Sequence, residues 1–204
     1  MYDSVTLNLI KTLLEAYRSV DNTNATAQNK SDWNYTLCKD GVEYLLNQAL
    51  RQPWLPQDHY LVSVEAKKWW DEYADGDILL SYYQKPVYLK KEIKELPYYK
   101  GNKHEGLKYD YKIGEHFSYR SYFHDEHIVP VYEIERELLE LEDITLENID
   151  KVLQKIYICK MLKEENFNLP VKRYGDNYID IIKNDYHPHG IHIVGEERFL
   201  CNNL

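Results

Sequence analysis

The apolar residues of this chain hold a helical period only to about residue 76, and that break constrains the fold more than any single motif does. Val5, Leu9, Ile10, Leu13, Leu14 and Tyr17 fall on one helical face. Val42, Leu45, Leu46, Ala49 and Leu50 repeat the pattern over Asp40 to Leu50, with Pro53 and Pro56 stopping it. Ser63 is placed as the N-cap of a third helix that ends near Gly76. From Asp77 the texture changes to short, tyrosine-rich, β-favouring pieces broken by Pro97, Gly101, Gly106 and Gly114. Helical spacing returns at Ile134, Leu138, Leu139 and Leu141, and again at Ile149, Val152, Leu153 and Ile156 behind the cap Thr145. The segment from Tyr157 to Leu162 reads as a strand, and the next, stopped by Pro170, as a helix. The remainder, with turns at Gly175–Asn177 and His187–Gly190, reads as strands. The expected class is therefore α+β, with a helical region over 1–76 and a mixed region over 77–204 that carries inserted helices and C-terminal strands.

At 204 residues and 44% hydrophobic, the chain can bury a core of its own. Its net charge of -9 gives a surface that on average repels nucleic acid. The charge is not uniform. Residues 85–120 hold nine Lys or Arg against five acids, a local +4 that leaves -13 elsewhere. Six of the 20 tyrosines (88, 98, 99, 109, 111 and 119) fall in this window, where they serve either as half-buried packing or as contacts to phosphates and bases. Cys38, Cys159 and Cys201 form no close pair, so neither a disulfide framework nor a Cys-type structural zinc is expected, and the setting expected is cytoplasmic. The N-terminal segment is too polar for a signal peptide or a membrane span, so no membrane partner is expected.

The octamer His124-Asp125-Glu126-His127-Ile128-Val129-Pro130-Val131 sets carboxylates beside imidazoles just ahead of a β-branched run. Carboxylate oxygens suit a hard cation such as Mg²⁺, and a neutral His is a competent general base near pH 7. On a regular strand Glu126 and His127 point to opposite faces, so joint action requires a bend or bulge.

Glu126-His127-Ile128-Val129-Pro130 resembles the first motif of the HNH, or ββα-metal, endonucleases, and the strand and helix YICKMLKEENFNL resemble its second half. The likeness covers roughly residues 108–170. It implies a zinc-less ββα-metal core within 77–204 and a DNA endonuclease using one Mg²⁺ or Mn²⁺, with restriction or defence as a setting. By the resemblance His127 is the base that activates water, and Glu126 and Asn166 are metal ligands, with Asn168 the near alternative to Asn166. His124, Asp125 and Asn148 are supporting or alternative groups. Lys100, Lys103, Lys108, Lys112, Arg120, Tyr109 and Tyr111 would contact double-stranded DNA, and cutting both strands would call for a homodimer or two successive events. Two features depart from compact members: a long insertion between the halves and the absence of cysteine pairs.

A reading of a different class stands beside it. Net acidity suits a non-catalytic interaction protein, such as a degenerate HNH relative or an acidic phage factor that blocks a host DNA-binding protein. His187, His189 and His192 flank a Pro-Gly turn and read as exposed loop histidines, and Cys159 as buried packing.

Overall fold

A computed structural model of the chain describes residues 2–23, 33–51, 55–81, 86–88, 97–100, 108–111, 116–119, 122–175 and 177–200. In chain order the helices are α1 (Ser4–Thr23), α2 (Trp33–Leu50), α3 (Val64–Tyr73), α4 (Val131–Glu140), α5 (Leu146–Leu153), α6 (Lys163–Asn168), α7 (Tyr178–Ile181) and α8 (Glu197–Leu200). The strands are β1 (Tyr60–Val62), β2 (Pro86–Tyr88), β3 (Pro97–Lys100), β4 (Lys108–Tyr111), β5 (His116–Ser118), β6 (Phe123–His127) and β7 (Ile158–Leu162). The class is α+β, rich in helix, with one small three-stranded sheet. No helix among the described residues is long and apolar enough to cross a membrane.

The chain forms two compact units, and their boundary does not follow the change of texture at residue 76. One unit is Met1–Pro56 with Val129–Ile156; the other is Gln57–Ile128 with Tyr157–Leu204. Periodicity reports which residues are helical but not which core they join. Thus α3 belongs with the sheet, while α4 and α5, the insertion between the two motif halves, belong with α1 and α2.

The first unit is a helical core. Asp3 accepts the amides of Val5 and Thr6 and so starts α1, and Thr145 accepts the amide of Asn148 and starts α5. Ile10, Leu14, Leu46, Leu50, Ile134, Leu138, Ile149 and Leu153 are buried, as the spacing predicts. Val5, Leu9 and Leu45 are exposed instead, so the buried stripe is narrower than the apolar one. Tyr2 ties the chain start to α5, donating its hydroxyl to the Leu153 carbonyl at 2.7 Å and its amide to Asp150 at 2.8 Å.

The second unit is built on the sheet β1-β7-β6, with β7 central, parallel to β1 and antiparallel to β6. Two neighbouring strands explain why β7 is nearly all apolar. The Ser63 hydroxyl caps α3 by accepting the Ala66 amide. Val62, Ala66, Trp70, Ala74, Ile78, Tyr119, Tyr122 and Phe123 form one core cluster. Trp70 donates its indole N–H to the carbonyl of Gly76, whose φ of 85° is a left-handed turn that favours glycine. β2 pairs with β5 and β3 with β4 in two separate antiparallel ladders.

An expectation gives way here, and an open alternative is decided. The C-terminal segment is helical where strands were expected: α7 runs into a π-turn at Ile182–Tyr186 and a 3-10 turn at His187–His189. Asn177 caps α7 through the amides of Ile179 and Asp180, and the buried residues Ile181, Ile182, Asp185 and Tyr186 keep a period near four. Among the described residues there, only an isolated bridge, Ser63 to Ile193, is β-like. Tyr119 is 1% exposed and stacks on Phe123, so this tyrosine of the basic window is core packing.

Candidate functional site

The motif octamer opens on β6, which keeps a regular register against β7 throughout: Phe123 with Leu162, His124 with Met161, Asp125 with Lys160, Glu126 with Cys159 and His127 with Ile158. No bulge interrupts it, so alternation sends Phe123, Asp125 and His127 to one face and His124 and Glu126 to the other. Both carboxylates then meet cations.

On the second face the Glu126 carboxylate takes Arg173 Nη2 at 2.6 Å and His124 Nε2 at 3.1 Å. Burial pushes the Glu126 carboxyl up, but the hydrogen bond and charge of His124 and the charge of Arg173 outweigh it and hold the group below its usual range. The Arg173 side chain is only 4% exposed, and its Nε and Nη1 make no hydrogen bond among the described residues. The buried Tyr186 hydroxyl, within electrostatic reach of Glu126 and Arg173, makes none either.

On the first face Asp125 accepts from the Tyr119 hydroxyl at 2.8 Å and pairs with Lys160 Nζ at 3.3 Å. Lys160, 2% exposed, also donates to the Ser81 carbonyl at 2.7 Å and lies over the rings of Tyr119 and Tyr60. Burial lowers its ammonium pKa despite Asp125. Burial likewise lifts Tyr119 well above the ordinary phenol, reinforced by the charge of Asp125. At the end of β7, Glu165 reaches back to the Leu162 amide at 2.8 Å and accepts from Ser63 Oγ at 2.6 Å.

A Mg²⁺ ion is commonly held by one or two carboxylates, with waters and substrate phosphate completing its shell. Glu126 and Asp125 diverge across the sheet, so they do not share one ion, and Glu126 is already held by Arg173 and His124. His127 and Glu126 are not brought to one side. Asn166 lies in α6, which directly follows β7, and Asn168 is that helix's last residue. Asn148 serves its own helix start, donating its side-chain amide to the Asp143 carbonyl, and belongs to the other unit. Lys100, Lys108, Tyr109 and Tyr111 are in the β3–β4 ladder, while Lys103, Lys112 and Arg120 lie outside the described residues. The sequence reading missed Lys160 and Arg173. Lys160 had a legible signal, since a lone lysine inside an apolar central strand requires a buried partner.

A second concave feature lies wholly in the helical unit. Tyr17, Glu43, Tyr132, Glu135, Leu139 and Glu140, with Arg136, line a groove of about 440 Å³. Glu135 accepts from the Asn47 side chain at 2.8 Å, and Arg136 faces Glu133 at 3.6 Å. The groove thus presents three carboxylates and two tyrosine rings against one arginine.

No family model, no curated protein and no solved structure matches this chain.

Proposed function

We propose that this chain is a non-catalytic interaction protein whose acidic groove takes a basic segment of a protein partner, such as the nucleic-acid-binding surface of another protein. One observation carries the reading: both motif carboxylates are ion-paired to buried cations on opposite faces of the sheet, so the octamer does not turn its two carboxylates toward one metal ion. The groove supplies the positive side of the argument. Its glutamates attract lysine or arginine heads, as Lys39 over the Tyr17 ring at 4.7 Å illustrates, and Tyr132 and Leu139 offer surface to their aliphatic stems.

The test is binding of a labelled lysine- and arginine-rich peptide to the full chain. Affinity falls at least tenfold in Glu43→Gln/Glu135→Gln/Glu140→Gln and falls with salt; binding indifferent to both changes refutes the groove. In parallel, plasmid DNA stays intact with Mg²⁺, Mn²⁺ or EDTA.

The endonuclease is the second reading, and the chain order favours it: β6 pairs antiparallel with β7, and α6 follows at once, the strand-strand-helix order of the HNH motif. Metal-dependent nicking that His127→Ala abolishes would establish it over the interaction reading. It would require Glu126 to leave Arg173 during turnover.

A further inference from the structure

We propose that His187, His192 and Glu196 form a Zn²⁺ site with an open fourth position. The three residues are distant from the motif in sequence and lie on consecutive turns near the C-terminal end of the chain. His187 opens the 3-10 turn, Gly190 reverses the backbone at φ 73°, His192 follows, and a second left-handed glycine, Gly195, brings Glu196 back. The Glu196 carboxylate is held between the two imidazoles, with Oε2 3.1 Å from His187 Nε2 and Oε1 3.1 Å from His192 Nδ1.

The spacing is that of a metal's ligand shell. Bonds of about 2.0–2.2 Å to tetrahedral zinc place neighbouring ligand atoms about 3.3–3.5 Å apart. The ligand atoms of all three residues already lie within 4.8 Å of one another. The two rings are tilted by 31° with centroids 4.9 Å apart, so their nitrogens draw together when one ion is bound by both.

The backbone around the cluster is anchored. Val64 donates its amide to the His192 carbonyl at 2.8 Å, Val194 donates to Val62 at 2.9 Å, and Glu196 Oε2 accepts the Ile193 amide at 2.8 Å. Access is open, because the His192 side chain is 54% exposed and that of Glu196 19%. Two imidazoles and one carboxylate suit zinc, whereas Mg²⁺ prefers oxygen alone. His189 is not part of the set: its Nδ1 faces the Asp185 carbonyl at 2.7 Å.

The test uses the full chain after EDTA treatment, titrated calorimetrically with ZnCl₂ and, separately, with MgCl₂. One Zn²⁺ binds per chain, MgCl₂ gives no comparable binding, and Zn²⁺ raises the melting temperature. Affinity falls at least tenfold in His192→Ala and in Glu196→Gln and is unchanged in His189→Ala. His192→Ala alters an exposed side chain, and circular dichroism checks that each variant is folded. Co²⁺ in place of zinc gives the visible absorption of a tetrahedral N/O site in the wild type and loses it in His192→Ala. Absence of zinc binding, or binding that His192→Ala leaves intact, overturns the proposal.

Discussion

Two glutamates of the sheet unit stand between basic side chains, and their differences separate a carboxylate that serves the fold from one left open to a ligand. Glu126 lies between His124 and Arg173, Glu196 between His187 and His192. Arginine is a permanent cation with a buried fork, so Glu126 has a fixed partner whose release exposes two charges to a low-dielectric interior. The imidazoles beside Glu196 are partly exposed metal-binding groups, so a ligand can reach the cluster at little cost to packing. Residue type alone does not distinguish the two clusters; the permanence of the countercharge does.

The largest expected effect breaks the first cluster. Arg173→Ala leaves Glu126 buried without its cation and destabilises the chain by about 3–5 kcal/mol in urea unfolding. A loss under about 1 kcal/mol would show that Glu126 is already solvated and free to bind elsewhere. Lys160→Met follows, at roughly 1–3 kcal/mol, because Asp125 is less buried and keeps the Tyr119 hydroxyl.

Proton linkage sharpens the comparison with opposite signs. The Glu126 carboxyl is lowered in the fold, so its contribution is full above the ordinary glutamate value of about 4.3 and is lost as pH falls through its folded value. The Glu165 carboxyl is raised, chiefly by burial, so its contribution is full below about 4.3 and is lost as pH rises through its folded value. Between about pH 3 and 7, the advantage of wild type over Glu126→Gln therefore grows with pH, while that over Glu165→Gln shrinks. Parallel slopes in the two series would contradict this assignment of charge states. The smallest effect is expected for His124→Ala, about 0.2–1 kcal/mol, since that ring is 42% exposed and Arg173 still holds Glu126.

The helices were the most legible part of the fold. Ser63, Thr145 and the stripes of α4 and α5 could be read from capping chemistry and spacing, because those signals lie within a few residues of each other. The β7 strand and α6 were legible for the same reason. The C-terminal helices were not: Ile179, Ile181 and Ile182 have high strand propensity, and the cap at Asn177 with burial of the i, i+4 set overrode it. The site was legible as a collection of residue types and not as an arrangement. His124 to His127 stood out, yet whether Glu126 and His127 share a face depended on a bulge that the register shows is absent. The cluster of His187, His192 and Glu196 was half-read, because the glutamate comes into range only through the turn at Gly195.

By itself the sequence determined the mixed class, the helix caps at Ser63 and Thr145 and the split of charge between a basic middle and an acidic remainder. Only the tertiary structure decided that residues 129–156 join the N-terminal helices and that Arg173 reaches Glu126 across 47 positions. It also decided that two histidines close on one glutamate. Local signals are carried by backbone geometry over one or two turns, so they survive in a linear reading. Countercharges and ligand sets join residues far apart in the chain, and burial selects among the many pairs that the composition allows.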